Sequence, residues 1–533
     1  CARGTPGLHT LGRVSGCRLR RGGRLAPLGG RHRTKVRGCP WLRALLFESL
    51  LLLVTFTPFF PAHASMVECV VIGAGLAGLQ AARRLKDCGV SVVVIEAGDH
   101  LGGRVSQLEG LAPWPLQLGP EFIHGEECNV LKDFIDAQGW EMREYEWPDR
   151  YFFGKGVGER RLVVAEDADE NDPDVREVHR LFAELPGVPI DRDVTALEWL
   201  RDIVQCSDKV LALAQSIYAN DFGTSLALMG MQEAVVEQRG WNYGEKYLVL
   251  DRSLHRVAEA LAKGIDVRLG WKVSEIIRPP DGAPGPVTIR RSTGETMVAS
   301  RCVVVAAPIT ALKPNNPGSI AFTPPLPMVK TKAIDRVKVS NSVKVFLAFE
   351  SSFWPEGLFD VVCAGCFLPE MWILKYPSTE NVGRGSGARM ASDQGVDPSV
   401  PARTKEVVTF FAAGNLADEL SRMERKTVVE RALDQMDEMF GSDANPRPSR
   451  SRLTGSYVAD WRNEELVGGA YTYPTLHAFG SREVVAAPDG ESVFFAGEAT
   501  HPGVNPCMQG AMETGLRAAA QVLSAVRPPK SSL

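Results

Sequence analysis

Hydrophobic positions fall into distinct patterns along the chain. Short continuous apolar runs, Glu68 to Ile72 and Ser91 to Ile95, have the length and β-branched content of buried strands. Between them Leu76, Leu79 and Leu85 recur at helical spacing. The predicted order of strand, glycine turn, helix and strand is the unit that opens a doubly wound α/β sheet. A second strand, turn and helix is predicted near the far end, over Phe494 to Thr500 and Gln509 to Gly515. The middle of the chain is patterned differently. Val337 to Phe349 alternates as a strand, and Val407 to Phe411 is strand-like. Thr195-Ala196-Leu197-Glu198 has the capping-box pattern that opens a helix, and Val210 to Tyr218 continues helical periodicity. A sheet with helices on one side is expected there.

A chain of 533 residues exceeds what one core usually serves, so two domains plus appended segments are expected. The formal charge of −4 conceals an asymmetry. Residues 1–65 carry eleven Lys and Arg against the single acid Glu48, leaving 49 basic and 63 acidic residues, a net of −14, on the remainder. Such a body repels nucleic acid and mildly attracts cations. Eleven scattered cysteines, several inside apolar runs, read as reduced core residues. Cys363-Ala364-Gly365-Cys366 has no second pair to complete a zinc site, and no metal is expected.

Two competing addresses flank this body. Residues 1–43 are basic, Ala44 to Phe60 is apolar but interrupted by Glu48 and Pro58, and Ala62-His63-Ala64 supplies a small-x-small cleavage pattern. Together they read as a secretory or organelle signal, too short and interrupted for a stable membrane span. Alternatively, Met66 starts the protein just before the first strand, and residues 1–65 are an extension. Ser531-Ser532-Leu533 then approximates a peroxisomal tripeptide. The acidic run Glu166 to Asp174 and the Gly/Ser-rich stretch Ser378 to Pro401 are expected as solvated loops.

Chemistry enters with Gly73-Ala74-Gly75-Leu76-Ala77-Gly78. Gly73 permits a tight turn, Gly75 lets backbone approach a pyrophosphate, and Gly78 allows the helix to pack closely on the strand. Glu96, 18 residues beyond Gly78 at the end of the second strand, suits the two ribose hydroxyls of an adenosine and disfavours a 2′-phosphate. These features alone admit NAD or FAD. Gly102-Gly103-Arg104, with a guanidinium able to fork onto phosphate, and the distant Gly497-Glu498 favour FAD.

These blocks, in this order, resemble the flavin-containing amine oxidase family, nearest its polyamine oxidase branch, from about Val67 to Val526. The resemblance implies a Rossmann-type FAD-binding domain interleaved with a sheet-plus-helices substrate domain, an α/β and α+β architecture. The FAD domain would comprise 66–150, 241–312 and 455–526, the substrate domain 151–240 and 313–454, with a tail at 527–533. It also implies non-covalent FAD held by Gly73, Ala74, Gly75, Gly78, Glu96, Ala97, Gly103, Arg104, Gly119, Pro120, Glu121, Gly497 and Glu498, with Val273 as a main-chain contact.

The reacting centre follows from further matches. Leu118 to Gly125 resembles the block that runs along the flavin, placing His124 over the substrate. Its ordinary pKa of ~6.5 suits it to orient an amine or take its proton. Glu121 has two readings, recognition of a cationic amine or support of the backbone beside FAD. Lys344 matches the family lysine that holds a water near flavin N5, and Tyr471 matches one wall of an aromatic cage. Ala470 stands where monoamine oxidases carry the flavin-linked cysteine. Cys507 replaces the second aromatic wall, leaving room for a bulkier or secondary amine. The implied activity is oxidation of polyamines or other secondary amines by hydride transfer to flavin N5, giving aldehyde, shortened amine and hydrogen peroxide. Small amines and oxygen are the expected partners. An amino-acid oxidase or desaturase of the same superfamily is the nearest alternative, and a non-catalytic FAD-binding interaction protein the next. The absence of a long heptad insertion argues against a scaffold-bound histone demethylase arrangement.

Overall fold

A computed structural model describes residues 67–189, 191–376, 388–503 and 507–526. The N-terminal segment with its cleavage pattern, part of the Gly/Ser-rich stretch and the C-terminal tripeptide lie outside the described residues.

Strands from three separated stretches assemble one parallel sheet. Its order is Asp266–Arg268, Val92–Ile95, Cys69–Ile72, Cys302–Val305 and Val493–Phe495. Both faces are covered, which explains the continuous apolar runs. Cys69, Val71, Val94, Val304 and Phe494 pack under helices Leu76–Asp87, His255–Ala262 and Met508–Val526. Val70, Ile72, Val93, Ile95, Val303 and Phe495 face a four-stranded sheet through Val273, Ile276 and Ile289. The order places the glycine turn at the carboxyl ends of the central strands, the end where doubly wound sheets bind ligands.

A seven-stranded sheet forms from the middle of the chain, in the order Leu453–Asp460, Ser342–Phe349, Glu406–Ala413, Glu370–Ile373, Asp360–Ala364, Arg150–Phe153 and Leu162–Val164. The division expected at 454/455 falls inside its first strand. Along Ser342–Phe349 the odd positions Val343, Val345, Leu347 and Phe349 pack toward helix Arg425–Phe440. Phe346 and Ala348 turn the opposite way, onto Leu108, Leu116 and Leu118. Strand alternation therefore sends Lys344 to that second face.

Several expectations are corrected. Helices pack on both faces of this sheet: Val361 and Cys363 face Arg425–Phe440, while Val362 and Ala364 face Pro173–Ala183 and its neighbours. The acidic run forms helix rather than solvated loop, as Ala165–Asn171 and the start of Pro173–Ala183. Asp172 caps the second helix by accepting from Asp174 N and Val175 N, while Val175, Val178 and Phe182 enter the core. Within the described part of the Gly/Ser-rich stretch, Arg389–Met390 pairs in parallel with Gln107–Glu109. The alternating strand begins at Ser342, not Val337, because the preceding residues pair elsewhere: Ser340 N donates to Tyr471 O and Ala470 N to Ser340 O. That pairing fixes the Tyr471 segment beside the strand of Lys344. The described cysteines are all free thiols.

Candidate active site

The glycine turn closes through backbone contacts. Gly73 has φ +106°, and Gly102 N donates to Ala74 O at 2.9 Å. A Cβ on Gly75 would meet no atom closer than 4.0 Å, so its backbone lies open to the cavity it lines. Gly78 differs: a Cβ there would sit 2.0 Å from Gly73 O and 3.2 Å from the Ala306 Cβ. Gly78→Ala is thus expected to push the helix off the strand, costing about 1–3 kcal/mol or more. Thermal melting should show a lower Tm and weaker FAD retention than wild type, and an unchanged melt would refute this packing.

Glu96 accepts from Ala74 N at 2.7 Å and from Gly98 N at 2.8 Å. Both carboxylate oxygens are thereby oriented at the cavity edge, each with a remaining lone pair for a ribose hydroxyl. Arg104 Nη1 donates to Glu498 at 2.8 Å and to Ala470 O at 3.1 Å, leaving the donors on Nε and Nη2 uncommitted among the described residues. Glu498 also accepts from Thr472, whose hydroxyl accepts from the buried Arg482, which in turn pairs with Glu233. Burial pushes the Glu498 carboxyl up, but Arg104, Thr472 and Arg482 overcome it and hold the group below the ordinary range.

The same cavity continues from this end to a second group of side chains, called here the second chamber. Lys344, 4% exposed, donates to Gln117 O at 3.0 Å and to Glu121 at 3.2 Å. Burial lowers its pKa, and Glu121 and Glu370 oppose that shift. Glu121 also accepts from Trp372 Nε1 at 2.9 Å and Tyr376 OH at 2.7 Å. Both Glu121 oxygens thus receive side-chain donors, and it is the counter-ion of Lys344.

His124 is placed by the antiparallel pairing of Ile123–His124 with Tyr247–Leu250, which sets it opposite Tyr247 with ring centroids 5.0 Å apart. Burial holds the imidazole below its ordinary pKa against the attraction of Asp221. Neutral imidazole is therefore the form at neutral pH. Tyr471 packs on Gly223, where a Cβ would meet its ring at 1.8 Å. Burial raises its hydroxyl pKa, with Asp221, Glu370 and Cys507 adding to the shift.

One cavity of 1710 Å³ gathers these groups. Ligand pockets usually hold about 300–1,000 Å³, so there is room for a dinucleotide and a second molecule. Of the predicted cofactor residues, Gly73, Gly75, Glu96, Ala97, Gly103 and Arg104 line it, as do Gly119, Pro120, Glu121, Val273, Gly497 and Glu498. So do His124, Lys344, Tyr471 and Cys507. Ala74 and Gly78 do not line it. The Ala74 methyl is buried in the core beneath the turn, and Gly78 serves helix packing.

Sequence reasoning missed two acids and two aromatics in the second chamber. Asp221 is open to the cavity, and burial raises its pKa against His124. Glu370 is pushed up to about 8 by burial and by Asp221, although Asn220 and Trp147 hydrogen-bond to it. Trp147 and Tyr247 supply aromatic wall, 5.7 Å apart. A polar pair, Asn220-Asp221, inside the apolar run Ile217 to Phe222 was the available signal.

The donor set fits FAD. Open glycine backbone and Arg104 suit a pyrophosphate, Glu96 suits the ribose, and Ala470, a buried methyl, offers no atom for a covalent link to the flavin. The chain is 25% identical over 471 residues to polyamine oxidase 3 of Oryza sativa subsp. japonica, spanning 85% of this chain and 88% of the relative. It is 26% identical over 514 residues to lysine-specific histone demethylase 1B of Mus musculus, spanning 90% and 56% respectively. Among solved structures, cyclohexylamine oxidase from Brevibacterium oxydans IH-35A superposes with a TM-score of 0.69 at 21% identity, over 86% of this chain and 99% of that one. Wild-type putrescine oxidase bound to putrescine gives 0.68 at 19%, with the same coverage. These two establish the shared fold. The model of the flavin-containing amine oxidoreductases matches residues 76–523, and with the cleft just described this places the chain in that family, as an oxidoreductase that holds FAD non-covalently.

Proposed function

We propose that the protein oxidises a small cationic amine, a polyamine or another secondary amine with a further amino group, to an aldehyde, a shortened amine and hydrogen peroxide. The observation that carries this reading is the second chamber: Asp221 and Glu370 share it with Tyr471, His124 and Lys344. Two acids side by side in the cavity suit an ammonium, whose charge favours the ionised form of each. A substrate bearing a carboxylate, as in an amino-acid oxidase, would need an unbalanced cation there, and the charge of Lys344 is already balanced by Glu121.

When bound, FAD would supply the two-electron redox chemistry, with oxygen as the final electron acceptor. The protein's part is binding, orientation and proton handling. Asp221 and Glu370 anchor the distal ammonium and set which C–N bond lies at the reacting end. Tyr471, Trp147 and Tyr247 present π faces that favour a cation and exclude water. His124, neutral through burial, accepts a proton from the reacting amine, since only a deprotonated nitrogen releases hydride from its neighbouring carbon.

Asp221→Asn or Glu370→Gln is expected to raise KM for a polyamine about 10- to 100-fold with a smaller change in kcat, the scale of a lost hydrogen bond to a charged group. Both acids have raised pKa values, so they ionise, and hold the amine more tightly, as pH rises. For Glu370 the rise passes through about 8. Glu370→Gln should flatten that rise in kcat/KM. Oxygen uptake and peroxide release, measured with polyamines, diamines, chain-matched monoamines and amino acids, test the reading. Preference for polyamines supports it, and equal rates with monoamines or preference for amino acids would refute it.

A further inference from the structure

We propose that Glu121 is a positioning residue, whose carboxylate, clamped by Trp372 and Tyr376, fixes the Lys344 side chain as an ammonium at the cavity wall. This deepens the proposed function, because it rests on Lys344 working at the flavin. Three donors converge on one carboxylate that is 5% exposed: Tyr376 OH on Oε1 at 2.7 Å, Trp372 Nε1 on Oε2 at 2.9 Å, and Lys344 Nζ on Oε2 at 3.2 Å. Donors on both oxygens fix the carboxylate plane, so the lysine has one place to dock.

The surroundings of Lys344 decide its charge. Its partners across the sheet are apolar, Phe411 on one neighbouring strand and Ala459 on the other. Gln117 contributes only a carbonyl oxygen. The Trp372 ring lies 5.1 Å from Nζ and favours a cation. Glu370 acts in the same direction from farther away. Arg143 and Tyr145 bear on Tyr376 and Glu121 rather than on the lysine. Burial opposes all of these. Glu121 is thus the chief group that offsets burial, and its removal lets burial lower the lysine further. An ammonium with two protons committed to Gln117 and Glu121 keeps a third for a water or ligand in the cavity, in a fixed direction.

The test is the pH dependence of acylation of Lys344 in the FAD-loaded protein, using acetic anhydride and mass spectrometry of the Lys344 peptide. Only the neutral amine reacts, so the midpoint reports protonation. Glu121→Gln should lower the midpoint by about 2 units, a roughly 100-fold faster reaction near neutrality, and Glu121→Asp should fall between. Lys330, buried elsewhere against the carbonyls of Val484 and Val485, is the internal control and should not move. Equal midpoints in wild type and variants would overturn the proposal, as would an equal shift at Lys330. Should neither variant fold, a wild-type midpoint at or below about 7 would overturn it, and one well above would support it. No amine is oxidised in this experiment, so its outcome is separate from that of the substrate assays.

Discussion

Replacing Lys344 with Met leaves FAD bound and the fold intact but slows turnover by about 100-fold or more, the lower bound usually supplied by a positioned proton-handling group. Met matches the length of the lysine stem and packs against Phe346 and Ala348 without opening a cavity. What disappears is the ammonium at the wall of the chamber. The same change leaves the Glu121 carboxylate buried with two neutral donors and no cation, a situation that costs about 3–5 kcal/mol when one partner of a buried pair is removed. Lys344→Met should therefore melt lower than wild type, and Lys344→Met with Glu121→Gln should recover much of that loss without recovering turnover. The FAD to protein absorbance ratio, Tm and kcat of the two variants distinguish the effects. Unchanged kcat in Lys344→Met would remove the lysine from the reaction.

Arg104→Ala is expected to yield colourless protein. Its guanidinium bridges Glu498 and the Ala470 carbonyl, joining the second glycine turn to the C-terminal segment across 394 residues of sequence. Without it Glu498 remains buried with only Thr472 and, behind it, Arg482 to offset its charge, and leaves more negative charge at the wall of the cavity that would hold the FAD phosphates. Loss of attraction and gain of repulsion add, and the FAD Kd should rise at least about 100-fold, equivalent to the 3–5 kcal/mol of a broken buried pair. Arg104→Lys keeps the charge but not the planar fork, and should fall between. FAD titration by flavin fluorescence measures this. Full occupancy of the alanine variant as purified would contradict it.

The FAD end was the more legible half because its chemistry is backbone chemistry at fixed spacing. A pyrophosphate needs glycines where the chain approaches it and an acid one strand later, so Gly73, Gly75 and Glu96 announce themselves. Arg104 was legible for the same reason, although its tie to Glu498 was not, since nothing local connects residues so far apart. The second chamber was legible only where a motif crosses it, at His124, Lys344 and Tyr471. Asp221 and Glu370 lie in segments whose visible pattern is core packing, and their proximity arises from folding the helical region over the large sheet. Glu121 shows the difference best. Its sequence neighbours suggested an amine contact or support of the backbone beside FAD, and could not show its donors Trp372 and Tyr376, 251 and 255 residues away, or its pairing with Lys344. The acidic run at Glu166 to Asp174 misled for a related reason: charge density read as loop, but Asp172 is a cap and the buried valines that follow hold the helix.

We propose, above all, a single cavity that brings FAD and a cationic amine together for oxidation. Its most direct test is anaerobic mixing of the FAD-loaded protein with spermine, spermidine, their acetylated forms, monoamines and amino acids, following flavin absorbance. Rapid bleaching by one or more of the polyamines is expected, slowed in Asp221→Asn. A fully loaded protein that no amine bleaches, or that amino acids alone bleach, would contradict it.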